Sequence, residues 1–380
     1  MPRSITWDEL RELAGFEAEK GCAISVYLDL DPSVAPTPGD AQTRLNSLLD
    51  EAAKSDGANR RDLSHAQREA VKADFDRIRR YFTQDFTREG AHGLAVFCDG
   101  LDNIWRTLPL ADSVGDRVKV GRRLYLAPLV PLVGRGEGAL VVFVSREQGR
   151  FYRLRAGRLE EVVDHFEEQP RRHDQGGWSQ ARYQRHVDAL VDEHLRTVAD
   201  ELDRQVRRLR GVQVVVMGPE ETWAEFSELV SAETRNAIVG RATSEAHAGP
   251  PELLAAATPV LERWRARRET ELLARWSEEA GRDARASGGW GKTLEAASDG
   301  RVDLLLFKEG VDRPAWRCPS CGRVAAAAGK CPLDGTEMEE RPEGLDLAVH
   351  QTLVHGGRVW SVRNGDVLDS AQGIGALLRY

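Results

Sequence analysis

Two stretches of the chain carry residue types whose spacing could do chemistry. The first reads Gln175-Gly176-Gly177-Trp178-Ser179-Gln180-Ala181-Arg182-Tyr183-Gln184-Arg185-His186. Adjacent glycines let a backbone take positive φ and approach another chain closely. A helix starting just after them, with Ser179 as a cap, would offer unpaired N–H groups to anionic groups. Arg182 and Arg185 are three apart, so they share a helical face and can reach phosphates together. The bland alternative is a loop joined to an amphipathic helix whose arginines are simply solvated. Between Arg171 and Arg210 nine arginines face seven acids, so the segment is only slightly basic.

The second stretch is Cys318-Pro319-Ser320-Cys321-Gly322, followed by Cys331-Pro332-Leu333-Asp334-Gly335. CPxCG is a metal-binding knuckle, and the second stretch keeps its frame as CPxDG, with Asp334 where a cysteine would stand. Zn2+ accepts carboxylate oxygen, so Cys318, Cys321, Cys331 and Asp334 are a candidate Cys3Asp site. Nothing nearby supplies a general base, so such a zinc would be structural. The alternative is a tight double turn without metal. Cys22 and Cys98 lie alone in apolar segments and read as core thiols.

Other candidates are weaker. Gly288-Gly289-Trp290-Gly291-Lys292 lacks the glycine spacing of a phosphate loop and reads as a helix boundary or linker. His165, His173 and His186 have no serine or cysteine partner at a recognisable spacing, so no triad is assigned. The cluster Arg263, Arg265, Arg267 and Arg268 reads first as a solvated face. A net charge of −8 excludes a general nucleic-acid trap, so any RNA contact must rest on local patches. No run approaches the roughly 18 apolar residues of a membrane span. The opening MPRSITWDELRELAGF lacks a signal peptide's apolar stretch, so a cytoplasmic home and no membrane partner are expected.

The elements that must position these residues read as three α/β units in 380 residues. Residues 1–135 hold a strand at CAISVYLDL, helix from Ala41 to Phe86, strands at GLAVFC and Ile104 to Leu108, and an edge or extended connection at RLYLAPLVPLV. Residues 136–270 hold strands at ALVVFVS, RFYRLRAGRL and EEVVDHF, then a helix from about Ser179 to Leu209. A buried strand VQVVVMGP, a helix WAEFSELV, a strand NAIVGRATS and a further helix with a break at Pro259 follow. Residues 271–380 hold a strand at RVDLLLFKEG, the cysteine cluster within an insertion at 316–340, and the tail GIGALLRY.

Taken in order, SVYLDLDP, VVFVSREQGRFYRLRAGRLEEV, GGWSQARYQRH, and RVDLLLF with GIGALLRY resemble the class I peptide chain release factors of archaea and eukaryotes and Pelota. The chain is similar to the bacterial branch of that superfamily, and to peptidyl-tRNA hydrolases of the Vms and ANKZF type. The resemblance implies a tRNA-shaped protein of three α/β domains in series, with a zinc-ribbon-like insertion in the third. It implies binding to the ribosomal A site, with rRNA and peptidyl-tRNA as partners and a translational GTPase as a further one. Gly176, Gly177 and Trp178 fall on the family's GGQ loop, and Gln180, Arg182 and Arg185 on the RNA-gripping helix behind it. The glutamine that holds the hydrolytic water is replaced by Trp178, which donates one N–H and stacks on bases but has no amide. Peptidyl-tRNA hydrolysis in release or rescue, and non-catalytic occupancy of the A site in stress or hibernation, both stand as expectations. Stop-codon motifs of the NIKS and YxCxxxF types are missing from residues 1 to 130, which disfavours codon-specific termination.

Overall fold

The computed structural model describes residues 5–54, 63–133, 138–155, 157–167, 180–209, 211–282 and 285–380, the side chains of 163–187 excepted. By packing, the chain forms two compact units, Met1–Val133 with Glu269–Tyr380, and Gly134–Arg268.

The N-terminal segment opens with α1 (Trp7–Ala14), held by a capping box between Thr6 and Glu9. Strands β1 (Ala23–Asp29), β2 (Gly93–Asp99), β3 (Ile104–Leu110) and β4 (Arg117–Gly121) make an antiparallel sheet in the order β3-β2-β1-β4. Helices α2 (Pro38–Lys54) and α3 (His65–Gln84) provide the helical content expected between the first two strands. Strand β1 is apolar nearly throughout because it is covered on both sides. Ile24, Val26 and Leu28 face Leu45, Leu49, Phe75 and Ile78 of the two helices, whereas Ala23 and Tyr27 belong to a second core. Cys22 and Cys98 are both buried, as the apolar context predicts. The stretch RLYLAPLVPLV differs from the extended connection expected. Residues Ala127–Leu132 form a 3-10 helix with Pro128 in its first turn, where the missing N–H costs least.

The Gly134–Arg268 unit is built on one sheet in the order β7-β6-β5-β8-β9, from β5 (Leu140–Val144), β6 (Gln148–Arg155), β7 (Arg158–Glu167), β8 (Val214–Met217) and β9 (Ile238–Ala242). Three consecutive strands pair antiparallel, and β5, β8 and β9 run parallel. Helix α4 (Gln180–Arg208) crosses from β7 to β8 and packs Leu195, Val198 and Leu202 onto Leu140, Val142 and Val214. Helices α5 (Glu220–Leu229) and α6 (Ala232–Ala237) follow β8. Alternate residues Val141, Phe143, Val215 and Met217 are covered by Leu253, Ala257 and Val260 of α7 (Pro250–Gly281). That helix runs through Pro259 without the expected break. Pro259 is exposed, so the carbonyl it leaves without an intrahelical donor faces solvent.

The C-terminal segment has the sheet order β10-β16-β11-β15, from β10 (Ala286–Gly288), β11 (Val302–Lys308), β15 (Arg358–Val362) and β16 (Ile374–Leu378). Helix α8 (Trp290–Ser298) begins directly after Gly289, so the Gly-Gly-Trp-Gly-Lys stretch is a helix boundary, with Trp290 buried. Helices α9 (Gly344–Val354) and α10 (Asp366–Asp369) flank β15. A small sheet in the order β13-β12-β14, from β12 (Ala315–Arg317), β13 (Val324–Ala325) and β14 (Glu339–Arg341), carries the cysteine loops. Leu305 and Phe307 of β11, with Trp290, Leu345 and Val349, share one core with Tyr27, Phe97 and Leu129 of the N-terminal segment. Among the described residues no helix is long and apolar enough to cross a membrane.

Candidate functional site

The cysteine cluster is positioned by two turns with the same hydrogen-bond pattern. After β12, Cys318 N–H donates to Arg323 O at 2.8 Å and Gly322 N–H donates to Cys318 O at 3.0 Å. In the second turn Cys331 N–H donates to Thr336 O at 2.8 Å and Gly335 N–H to Cys331 O at 2.9 Å. The glycines close these turns at φ of 78° and 74°, where a side chain would be strained. The repeated frame brings residues from both turns together.

The ligand atoms of Cys318, Cys321, Cys331 and Asp334 all lie within 4.8 Å of one another. Cys321 Sγ is 3.5 Å from Cys331 Sγ, and Cys318 Sγ is 3.4 Å from Asp334 Oδ2. Tetrahedral zinc with ordinary bond lengths places two thiolates about 3.7 Å apart, and a thiolate about 3.5 Å from a carboxylate oxygen. The donor set therefore fits a divalent cation, closed by four protein ligands. Cys318 and Cys331 are buried, whereas Cys321 and Asp334 face outward.

Cys318, Cys321 and Asp334 differ in how readily they ionise. Burial pushes the Cys318 thiol up, but the N–H groups of Cys321 and Ser320 outweigh it and leave the group below its ordinary value. Arg323 N–H pulls Cys321 down, yet burial and the thiols of Cys331 and Cys318 carry it up to about 11. The N–H of Thr336, 3.0 Å from Oδ1, holds Asp334 well below the usual carboxylate range. A cation bound among the four groups would favour their anionic forms together.

The cluster is anchored to the body of its unit. Arg317, immediately before Cys318, donates to Glu17 at 3.1 Å, and Arg123 donates to the same carboxylate at 2.8 Å. Gln351 Nε2 on α9 donates to Gly322 O at 2.8 Å, and Val324 N–H to Ser298 Oγ at 3.0 Å. None of these holdfasts was visible in the motif, because their partners lie far off in sequence.

The other expected site is only partly described. Gly176, Gly177 and Trp178 lie outside the described residues. Gln180 opens α4, and Arg182 and Arg185 lie on its first two turns, with side chains that are likewise not described. The helix behind them is firmly placed: Leu195, Val198, Leu202 and Val206 are buried, and Asp203 accepts from Ser231 Oγ at 3.0 Å.

Sequence reading also passed over a crevice at the carboxyl ends of β5 and β8, lined among others by Gly218, Thr222, Trp223 and Arg241. Its local signal was the Gly-Pro turn between a buried strand and a helix.

Residues 125–262 match the family model described as Bacterial archaeo-eukaryotic release factor family 10. Peptide chain release factor subunit 1 of Archaeoglobus fulgidus is 23% identical over 368 residues, covering 90% of this chain and 87% of that protein. The protein of the same description from Aeropyrum pernix is 26% identical over 229 residues, 58% of each chain. Among solved structures, an archaeal translation termination factor, aRF1, is 17% identical with 99% of each chain covered and a TM-score of 0.27. An archaeal Pelota, in a model of ribosome-bound archaeal Pelota and ABCE1, is 14% identical, with 100% of this chain and 95% of that one covered and a TM-score of 0.44.

Proposed function

From the match of residues 125–262 to the bacterial archaeo-eukaryotic release factor family 10 and the similarity to archaeal peptide chain release factor subunit 1, we propose that the chain is a bacterial archaeo-eukaryotic release factor that binds the ribosomal A site and acts in peptide release or ribosome rescue. The observation that carries this reading is the similarity to a peptide chain release factor subunit across 90% of the chain. On this reading residues 1–135, 136–270 and 271–380 serve as three functional domains. The central one presents Gly176, Gly177 and Trp178 to the peptidyl-transferase centre, and Gln180, Arg182 and Arg185 grip rRNA. Ester hydrolysis needs close backbone approach, a placed water and donors for the developing oxyanion. Glycines 176 and 177 meet the first requirement. Delivery by a translational GTPase and a cytoplasmic setting complete the proposal.

The metal belongs to it in a structural role. Cys318, Cys321, Cys331 and Asp334 would hold Zn2+, stiffening a zinc-ribbon-like insertion at 316–340. With four protein ligands, the ion has no open position for substrate.

One observation favours a second reading. Trp178 stands where the family has the water-holding glutamine, so the chain would then occupy the A site without catalysis, in stress or hibernation. Incubating the purified full chain with ribosome-bound peptidyl-tRNA separates the two. Release above that of a Gly177→Asp variant supports hydrolysis. Ribosome binding with release equal to that variant supports the non-catalytic reading.

A further inference from the structure

The sheet of the Gly134–Arg268 unit has a topological switch point. From β5 the chain builds outward through β6 and β7, then crosses by α4 to β8 and β9 on the other side. Loops leaving the carboxyl ends of β5 and β8 therefore diverge, which opens a crevice between them. Here it is a cavity of about 140 Å³. An apolar cavity of about 150 Å³ takes up a benzene ring, so this one suits a single six-membered ring.

Its walls are chemically divided. Phe226 is fully buried at the floor, with Trp223 beside it at a centroid distance of 6.4 Å. Polar groups line it as well: the buried Thr222 and the exposed Thr243 contribute hydroxyls, and the Arg241 guanidinium at the rim lies 4.8 Å over the Trp223 ring. Helix α5 starts on Pro219, which supplies no side-chain cap to its first-turn N–H groups. Gly218 lets the turn after β8 pack closely against the end of β5. At φ of 144° it takes a conformation suited to glycine, and an added Cβ would collide with the carbonyl oxygen of Val144.

Charge selects the class of occupant. Arg241 is already paired with Glu220 at 3.0 Å, and Glu221 stands in the same first turn. A phosphate or carboxylate would meet both acids, so the helix N-terminus does not serve an anion here. A purely apolar ring would bury the threonine hydroxyls without partners, which is unfavourable. An uncharged ring with both donors and acceptors on its edge satisfies apolar walls and polar rim together.

We propose that this crevice binds one nucleobase, packed against Trp223 above the buried Phe226 and hydrogen-bonded at its edge by Thr222, Thr243 and Arg241. Pyrimidines fit whole, whereas a purine leaves one ring at the mouth. The base comes from a free nucleoside or from single-stranded RNA, and the site stands whether or not the chain acts on ribosomes.

The test titrates the full chain with uridine, cytidine, adenosine, guanosine, a uridine hexanucleotide, N-acetyltryptophanamide and inorganic phosphate, by calorimetry and saturation-transfer NMR. The expected result is saturable binding of a pyrimidine nucleoside, weakened at least tenfold by Ala242→Leu, which fills the crevice, and by Arg241→Met, on its rim. Both variants should melt like the parent chain, and because Arg241 is half solvent-facing, Arg241→Met keeps the test open if Ala242→Leu fails to fold. Tighter binding of the hexanucleotide than of uridine identifies RNA as the source, and equal binding identifies the free nucleoside. No nucleoside binding up to 10 mM, binding untouched by both variants, or binding of phosphate or N-acetyltryptophanamide in place of nucleosides would overturn the assignment.

Discussion

Glu17 and Arg317, 300 residues apart in sequence, meet at 3.1 Å and tie the N-terminal segment to the residue preceding the first cysteine of the Cys3Asp cluster. Arg123 completes the contact from the end of the N-terminal sheet. Burial raises the Glu17 carboxyl, but the Arg123 and Arg317 guanidinium groups outweigh it and hold the group below its ordinary value. A depressed carboxylate stabilises the fold fully above its unfolded pKa, near 4.3, and that contribution is lost as pH falls through the folded value. Glu17→Gln should cost on the order of 1–3 kcal/mol at pH 7. Its stability should also be less sensitive to pH below about 4.3 than that of the parent chain, as read by denaturant midpoints across a pH series.

Asp346 on α9 makes the complementary join in the interior. Its Oδ1 accepts from the N–H groups of Leu126 at 2.7 Å and Ala127 at 2.9 Å, and His350 Nε2 contacts Leu124 O at 2.6 Å. Asp346→Ala leaves two buried donors unpaired and should cost about 2–5 kcal/mol. Asp346→Asn keeps a carbonyl oxygen in place and should cost less than half as much. Chemical unfolding of the two variants compares them directly.

The metal proposal makes a quantitative demand. Purified chain should carry one equivalent of zinc by elemental analysis. Asp334→Ala should lower zinc affinity by more than tenfold, whereas Asp334→Cys, which restores the commoner four-thiolate set, should keep or raise it. Chelation should lower the melting temperature of the parent chain more than that of Asp334→Ala.

Asp99 predicts a pH effect of opposite sign to Glu17. Burial pushes its carboxyl up to about 6, although the N–H of Asp102 pulls the other way, and its Oδ2 has no hydrogen-bond partner. A raised carboxyl favours the folded state below its unfolded pKa, near 3.9, and stability then falls as pH rises through the folded value. Asp99→Asn should flatten the stability profile between about 4 and 6, and at pH 7.5 should gain on the order of 1–2 kcal/mol over the parent chain.

Much of this was legible in the residues, for local reasons. The runs around Val26 and Val142 announce strands covered on two faces, and the CPxCG and CPxDG frames bring together four candidate ligands because a knuckle's geometry is encoded within five residues. What was not legible depends on partners distant in sequence. Glu17 and Asp346 look like ordinary helix-flanking or helical acids until the folded chain supplies Arg317 and the Leu126 N–H. Pro131 and Pro259 read as interruptions, but the first sits in a short 3-10 turn and the second on an exposed helical face. The crevice by Gly218 follows from strand order, which no residue pattern near it contains.

The proposed function depends on where the Gly176-Gly177-Trp178 segment goes, and direct imaging of the full chain bound to ribosomes tests it. The account predicts the chain in the A site, with residues 175 to 186 directed at the peptidyl-transferase centre and Arg182 and Arg185 against rRNA. A chain that fails to bind ribosomes, or binds with this segment away from the peptidyl-transferase centre, would contradict it.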